Sequence, residues 1–427
     1  MAQLPGPHNY AFSGRQNQFV IAIFCGFLVV ALAGYACFIL FIQRQVVAHP
    51  ESAEKLLGRR CDHGFPRPSV ARLLSGKMQQ QLEAACQDNI LRRDLVLHGY
   101  RAIWRLINRF SLDVLPESLS PLLPVGGSVV MPRDNARLLL APSLNGPRKL
   151  SMLAERAKYY NGLARRHGRV RCYVFPELGA SAWWLKLNPY AEEVNRLLDD
   201  GNYAEKFQAM LAREITYSWI GRGMPAAAQL ACYFRTDHHW TMEGSWKAYR
   251  FIHAALSADS PSLGSAIDCA ALEDIPAVKY QGSRAYMALY SGMFDTLQDG
   301  IFRIPDLMIN IPPTSLHERS QLRANYWNGI FSQIPYYGHY GAYFGEDHPL
   351  IQYENPGCAA DRNLLVVSDS MDNALEPLLA SHYRRCFYVD VRSFAGDLDV
   401  FIEQHGIDDL VFIGQQGWIL GLSKPLL

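Results

Sequence analysis

Two short polar segments, far apart in the sequence, hold side chains that could perform nucleophilic chemistry. Asp237 and His239 stand two positions apart, and Ser370 follows an apolar run. An aspartate can hold an imidazole through one ring nitrogen and leave the other nitrogen free as a base. A serine within reach of that base would be an activated nucleophile. The pattern predicts a triad of Ser370, His239 and Asp237.

Strands and helices must bring these segments together. The apolar run 231–234 before the first segment is strand-like, and a helical pattern follows at Trp246, Tyr249 and Ile252. Ser370 likewise stands between the apolar run 364–367 and a helical stretch at 373–383. Side chains at the carboxyl ends of parallel strands meet at one edge of a sheet. We therefore expect the three residues to meet at such an edge.

Strand-like and helical patterns alternate through residues 128–427, which predicts one α/β domain with a mostly parallel sheet. Apolar residues at helical spacing predict a helix at 150–164, and a second helix is predicted at 203–220. The predicted strands are 137–141, 170–175, 307–311, 364–367, 386–391 and 410–413.

The two polar segments also resemble a known family. TDHHWT with its following helix, and then LLVVSDSMDNALEPLLASHYRRCFYVDVR, resemble the DHHW family and the related alginate O-acetyltransferases. Those proteins belong to the SGNH-hydrolase-like superfamily and carry Asp-x-His before the serine. The resemblance runs from about Val129 to the C-terminus. It implies a three-layer α/β/α domain, places the family's triad on Asp237, His239 and Ser370, and calls for no metal and no cofactor.

The resemblance suggests roles for residues beside the triad. Asp369, which precedes the nucleophile, would hold the turn by backbone hydrogen bonds. Ser368 stands where SGNH enzymes usually carry glycine. Arg392 would lie close to the active site, where it could bind an acidic sugar or hold the nucleophile loop.

Three further residues have open roles. Trp240 either forms a wall of the site or fills the core. SGNH hydrolases complete the oxyanion hole with an asparagine side chain, and the candidate substitute here is Gln415 or its neighbour Gln416. His238 should point away from His239, because successive side chains alternate along an extended segment.

The N-terminal part of the chain predicts a membrane anchor. Residues 19–42 carry no charge and are long enough to cross a hydrocarbon core of roughly 30 Å. Residues 1–18 would form a tail, and 43–127 a membrane-proximal helical segment with a linker. The formal net charge of +1 argues against nucleic acid as a partner.

The orientation of this anchor has two interpretations. Basic residues after it (Arg44, Lys55, Arg59 and Arg60) favour a cytoplasmic C-terminus. The resemblance implies the opposite, and long domains are translocated with little regard to charge. We therefore expect a single-pass protein of the bacterial inner membrane with its catalytic domain in the periplasm.

Cysteine positions give a further expectation for that compartment. Nine cysteines without a CxxC pair do not indicate a structural zinc site. Cys61 and Cys86 flank a predicted helix and are a candidate disulfide. Cys172 and Cys232 lie in strand patterns and should be free and buried.

The resemblance implies transfer of an acyl group, most often acetyl, to hydroxyls of a cell-surface or secreted polysaccharide. It also implies a membrane-bound O-acyltransferase as partner, which would pass acetyl groups across the membrane. Two alternatives stay open from the sequence. One is an acetylesterase that uses the same triad, and the other is a non-catalytic subunit that binds glycan or the partner.

Overall fold

The computed structural model describes thirteen segments of the chain, all within one compact unit, Tyr100–Leu427. They are residues 122–126, 129–132, 137–140, 146–188, 203–268, 272–274, 278–288, 293–297, 300–302, 307–310, 317–318, 340 and 347–421. The predicted tail, anchor, membrane-proximal helices and Cys61–Cys86 pairing lie outside these residues. Within them, no helix has both the length and the apolar character needed to cross a bilayer.

Strands and helices alternate along much of the described chain, as α/β domains require. The strands are β1 Leu122–Gly126, β2 Val129–Pro132, β3 Leu139–Leu140, β4 Arg171–Glu177, β5 Ile215–Tyr217, β6 Leu272–Asp274, β7 Val278–Tyr280, β8 Asp295–Leu297, β9 Gly300–Phe302, β10 Met308–Asn310, β11 His317–Glu318, β12 Leu350–Glu354, β13 Asn363–Ser368, β14 Arg385–Asp390 and β15 Asp409–Gln415. The helices are α1 Gly146–Arg166, α2 Gly179–Leu187, α3 Tyr203–Met210, α4 Ala226–Ala231, α5 Met242–Asp259, α6 Ser283–Met287, α7 Glu376–Ala380, α8 Leu398–His405 and α9 Gln416–Ile419.

The main sheet is mixed, with the order β11-β10-β12-β14-β13-β15-β4-β5. Strands β14, β13, β15, β4 and β5 run parallel to one another. Strands β12, β10 and β11 extend the sheet beyond β14 in antiparallel pairs. The α/β prediction is confirmed, while the sheet is less uniformly parallel than predicted. Smaller antiparallel sheets, β1-β2-β3, β6-β9 and β7-β8, lie outside it.

Both faces of the central strands are buried. In β13, Leu364 and Val366 pack in one core cluster, while Leu365 and Val367 pack in another on the opposite face. Such continuous apolar runs are typical of parallel strands covered on both sides. Helices α2, α5 and α7 contribute to the first cluster, and α1, α3, α8 and α9 to the second. The described residues therefore form three layers.

Three local predictions are wrong. The run before Arg235 is not a strand, because the alanine-rich helix α4 reaches Ala231 and alanine strongly favours helix. The predicted helix 203–220 ends at Met210, and β5 follows because Ile215 and Tyr217 alternate into the core. The predicted linker contains strand β1, which pairs with β2.

Cys172 and Cys232 are free and buried, as predicted. Burial raises the pKa of the Cys172 thiol to about 12, and it raises the pKa of Cys232 as well. Because the thiolate is the reactive form, neither cysteine is prepared to act as a nucleophile.

The chain reverses its direction of travel across the sheet at β13. It passes from β13 to β14 on one side, and then returns to β15 on the other side. Such a topological switch leaves a crevice beyond the carboxyl end of the strand, where α/β proteins place their ligand sites. The residues that follow β13 are Asp369 and Ser370.

A buried ion pair near the opposite end of the sheet gives a stability prediction. Arg362 donates to both carboxylate oxygens of Asp409, at 3.1 and 2.9 Å, and the Asp409 side chain is 1% exposed. Removing one partner of a buried pair leaves an uncompensated charge. Arg362→Ala should therefore lower the free energy of unfolding, measured in urea, by roughly 3 kcal/mol.

The chain offers a matched control on its surface. Arg166 also binds a carboxylate through two bonds, that of Asp399, but its side chain is 52% exposed. Arg166→Ala should cost less than about 1 kcal/mol. Equal losses in the two variants would show that burial does not set the strength of the Arg362 pair.

Candidate active site

The first component is the turn that carries Ser370. Ser370 follows β13 by two residues and is buried, and the next helix begins only at Glu376, with Leu375 as its N-cap. Ser370 is therefore not the N-cap of this helix. The predicted helical stretch 373–383 begins later than expected and is shorter, because turns and a bend occupy residues 370–375 and the helix ends at Ala380.

Asp369 holds this turn in place. Its carboxylate accepts hydrogen bonds from the backbone N–H of Met371 at 3.0 Å, from the backbone N–H of Gln415 at 3.3 Å and from the indole N–H of Trp418 at 2.6 Å. Gly414 has φ +144°, and a Cβ there would meet Asp369 and Trp418. A glycine at the end of β15 thus lets the last strand approach the nucleophile turn.

The second component is the loop between α4 and α5. Tyr233 and Trp240 form a β-bridge, and the Phe234 N–H donates to the His239 carbonyl at 3.1 Å. Thr241 then caps α5 by accepting from the Gly244 N–H at 3.2 Å. The loop is closed rather than extended, so successive side chains need not alternate.

This closure changes the expected position of His238. Its Nδ1 lies 2.9 Å from Asp237 Oδ1, and its ring centroid is 3.8 Å from that of His239. The prediction that His238 points away from His239 is therefore wrong. The two neighbouring imidazoles both contact the Asp237 carboxylate, each through its Nδ1 atom.

The two components meet in the arrangement that the sequence predicts. His239 Nε2 lies 2.9 Å from Ser370 Oγ, and His239 Nδ1 lies 2.9 Å from Asp237 Oδ2. A carboxylate can only accept, so Nδ1 carries the proton and Nε2 is the bare nitrogen. The Ser370 hydroxyl then donates to His239. This is the geometry in which a serine can lose its proton as it attacks.

Burial and charge set the protonation states of this group. Burial alone would raise the pKa of Asp237, but the two neighbouring imidazoles outweigh it and hold the pKa well below the ordinary range. Burial lowers the pKa of His239 to about 4, with His238 acting in the same direction and Asp237 against it. Near neutral pH the site holds an aspartate anion and a neutral imidazole.

These protonation states predict an unusual pH profile. Protonation of His239 removes the acceptor for the Ser370 proton, so activity should fall as the pH drops through about 4. With an acetyl ester as substrate, kcat/KM should stay constant from about pH 5 to 8 and fall about tenfold per pH unit below 4. An acid limb near 6.5, the ordinary imidazole value, would contradict this environment for His239.

Sequence reasoning missed three residues that contact the triad. The Tyr340 ring stacks on His239, with centroids 3.7 Å apart, and its hydroxyl donates to the Ser370 carbonyl at 3.4 Å. Tyr280 and Ser283 donate hydrogen bonds to Asp237. The only signal in the sequence was the density of tyrosines between residues 280 and 343, which does not separate contacts with a site from core packing.

Arg392 lies beside the site without reaching the triad. Its guanidinium binds the Asp390 carboxylate and also Asp347, at 2.6 Å, while Asn373 donates to the other oxygen of Asp347 at 3.0 Å. These bonds connect the end of β14 to the nucleophile turn. They favour the loop-holding alternative for Arg392.

The other predicted neighbours are occupied elsewhere. Trp240 is 4% exposed and lies in the main core beside Tyr233, which favours the core-filling alternative. The backbone N–H of Gln415 supports Asp369, and the Gln416 side chain donates to the Leu178 carbonyl at 3.1 Å. Neither contact brings the side-chain amide of a glutamine to Ser370, where an oxyanion hole would need it.

Among the described residues, Asp237, His238 and His239 also offer ligand atoms close enough together for a metal ion, within 4.8 Å of one another. The Nδ1 atoms of both rings already face the carboxylate, and His239 Nε2 faces Ser370. A cation bound between them would have to break the bonds that align the triad.

The fold and the site together define an α/β protein with a Ser–His–Asp arrangement at the switch point of a mixed sheet. The family model described as DHHW protein matches residues 204–389, which include all three triad positions. The resemblance to the DHHW family is confirmed by this match. Comparison with curated protein sequences gives no match.

Solved structures share the fold. Bacillus cereus PatB1 with a sulfonyl adduct is 17% identical, covers 70% of this chain and 97% of its own, and has a TM-score of 0.54. A DHHW family protein from Eubacterium siraeum DSM 15702 is 19% identical, covers 70% and 95%, and has a TM-score of 0.51. The O-acetyltransferase domain of Pseudomonas putida AlgJ is a more distant match, at 13% identity, 70% and 94% coverage and a TM-score of 0.39.

Proposed function

We propose that this protein is an O-acyltransferase that works through a covalent acyl-serine at Ser370. The observation that carries the proposal is the continuous chain of contacts from Ser370 Oγ to His239 Nε2 and from His239 Nδ1 to Asp237, at 2.9 Å each. All three side chains are buried, and buried polar groups act in a low effective dielectric. Such an arrangement suits acyl transfer, where charge develops on the base and on the acyl oxygen.

The reaction divides into two balanced steps. Ser370 Oγ attacks the acyl carbonyl of the donor, and its proton passes to His239 Nε2. The donor oxygen leaves with that proton, and the acyl group stays on Ser370 as an ester. An acceptor hydroxyl then attacks this ester, gives its proton to His239 and becomes acylated, while Ser370 recovers the proton. Asp237 stabilises the imidazolium in both steps without becoming protonated.

The substrate and the setting belong to the same proposal. The DHHW resemblance supports an acetyl group as cargo and a polysaccharide hydroxyl as acceptor. The apolar segment 19–42 supports a single-pass membrane anchor. The resemblance supports the bacterial inner membrane as its location, a domain outside the cytoplasm and a membrane-bound O-acyltransferase as donor. A reporter active only in the cytoplasm, fused after Leu427, should be silent, and an active reporter would contradict this orientation.

The experiment that tests the reaction uses an artificial acetyl ester with and without an added polysaccharide. We expect mass spectrometry of the quenched protein to show an acetyl group on Ser370, and its loss to accelerate when a hydroxyl acceptor is added. Equal loss with and without acceptor would favour an esterase, which passes the acyl group to water. No acetylation of the folded wild-type protein would favour a non-catalytic glycan-binding subunit.

A further inference from the structure

We propose that a clamp made of Tyr280, Gly282, Ser283 and Asp295 positions Asp237 and thereby aligns the triad. The clamp lies in the irregular region between α5 and β12, outside the eight-stranded sheet. The inference rests on the proposed function of the triad. It assigns a role in the reaction to a segment that carries no catalytic residue itself.

The carboxylate of Asp237 is held at both oxygens. The Tyr280 hydroxyl donates to Oδ2, the oxygen that also accepts from His239 Nδ1. The Ser283 hydroxyl and the N–H groups of Ser283 and His238 donate to Oδ1, the two N–H groups at 3.3 and 2.7 Å. A carboxylate with donors on both oxygens has little freedom to rotate away from the imidazole.

The backbone before Asp237 is held from two sides. The Asp295 carboxylate accepts from the N–H groups of Arg235 and Thr236, at 3.0 and 2.7 Å. On the other side, the Thr236 carbonyl accepts from the backbone N–H groups of Arg284 and Ala285, at 3.1 and 3.2 Å. The Gly282 N–H donates to the Thr236 hydroxyl at 2.9 Å. Movement of Asp237 would therefore break several bonds at once.

Gly282 shows how closely the clamp approaches. A Cβ added at this position would lie within 3.0 Å of Cα, Cβ and Cγ of Asp237. Atoms cannot pack at that distance, so any larger residue must push Asp237 or the clamp aside. Glycine is required here for close approach of one backbone to another residue, rather than for an unusual dihedral angle.

The clamp should affect the strength of the base as well as its position. Tyr280 and His239 share Oδ2, so the tyrosine draws negative charge away from the imidazole. Loss of the hydroxyl would leave more charge for His239 and raise the pKa of that histidine. The charged or titratable groups around this pair are His238 in the same loop, Arg284 in α6, Asp295 in β8, Tyr340 and Asp347. The Tyr280 substitution leaves all five in place.

The test compares clamp variants with controls matched in chemistry. Gly282→Ala is paired with Gly168→Ala, where an added Cβ meets nothing within 4 Å. Tyr280→Phe is paired with Tyr160→Phe, a fully buried tyrosine whose hydroxyl donates to the Ile419 carbonyl on the other face of the sheet. Thermal unfolding of each full-length variant shows whether it is folded.

With an acetyl ester as substrate, Gly282→Ala should lower kcat about 100-fold, because a misplacement of about 1 Å costs this much. Tyr280→Phe should lower kcat about tenfold and move the acid limb of kcat/KM to higher pH. In an NMR titration of the His239 ring, the midpoint of Tyr280→Phe should lie about one pH unit above that of the wild type, because the pKa of His239 rises. Both controls should match the wild type in kcat, in the acid limb of kcat/KM and in the His239 titration.

The outcomes separate the clamp from the triad. Activity that survives Ser370→Ala would remove the proposed function, while the NMR titration would still decide whether Tyr280 controls His239. Activity that depends on Ser370 but is unchanged in folded Tyr280→Phe, with an unchanged His239 titration, would overturn the clamp. If Gly282→Ala does not fold, the Tyr280→Phe measurements decide alone.

Discussion

Replacing Ser370 with alanine should reduce acyl transfer by at least about 10³-fold, and His239→Ala should have a similar effect. The double variant should be little worse than either single variant. The reason is that His239 Nε2 has Ser370 Oγ as its reaction partner at 2.9 Å, so neither group can do its part without the other. The measurement is the rate of acetyl release from an artificial ester, under single-turnover conditions.

A serine on α5 provides the control for this experiment. Ser257 hydrogen-bonds the Ala254 carbonyl within its own helix at 3.3 Å, so Ser257→Ala should keep wild-type activity. Losses that multiply in the Ser370/His239 double variant would mean that the two side chains act independently. That result would contradict a triad even if each single variant were slow.

Replacing Asp237 with asparagine should lower kcat by about 10³–10⁴-fold while leaving the protein folded. Every close partner of this carboxylate is a donor, including His239, Tyr280 and Ser283. An amide supplies only one acceptor oxygen and must turn its NH₂ group toward other donors. If the NH₂ group faces His239, the ring takes the wrong tautomer and Nε2 can no longer accept a proton.

The matched control for this change is Asp399→Asn. Asp399 binds Arg166 at the surface of α8, where its side chain is 37% exposed. This variant should retain full activity and lose little stability. If Asp237→Asn keeps more than about a tenth of the wild-type kcat, the aspartate would be a structural support for the loop rather than a member of the triad.

The sequence was most informative where a single local rule decides the structure. Leu364 to Val367 are apolar on both faces, which requires a covered strand, and the structure places them at the centre of the sheet. The Asp-x-His spacing likewise allows only a short-range contact, and Asp237 and His239 make it. The sequence joined Ser370 to this pair through the expected meeting of strand ends at one sheet edge and through the family resemblance.

Both local propensity and long-range packing set features that the sequence patterns did not show. Only Ala231 of the strand-like run 231–234 is helical, because the alanines before it favour helix. His238 turned toward His239 because the bridge between Tyr233 and Trp240 closes the loop. Tyr280 and Asp237, which are in contact, are separated by 43 positions in the sequence, and no periodicity in the sequence predicts this contact.

The position of β15 has a consequence for the synthesis of this protein. Strands β4 and β5 connect to the rest of the sheet through β15, and β15 also carries Gly414 and Gln415 to the nucleophile turn. A ribosome releases these N-terminal strands long before it makes their partner, so their edge must stay exposed in the nascent chain. Pairings of such high sequence separation form slowly. A chain that ends before Asp409 lacks β15 and cannot complete the sheet. A chain that ends before Trp418 lacks the indole N–H that donates to Asp369, so reactivity at Ser370 should arise only late in synthesis.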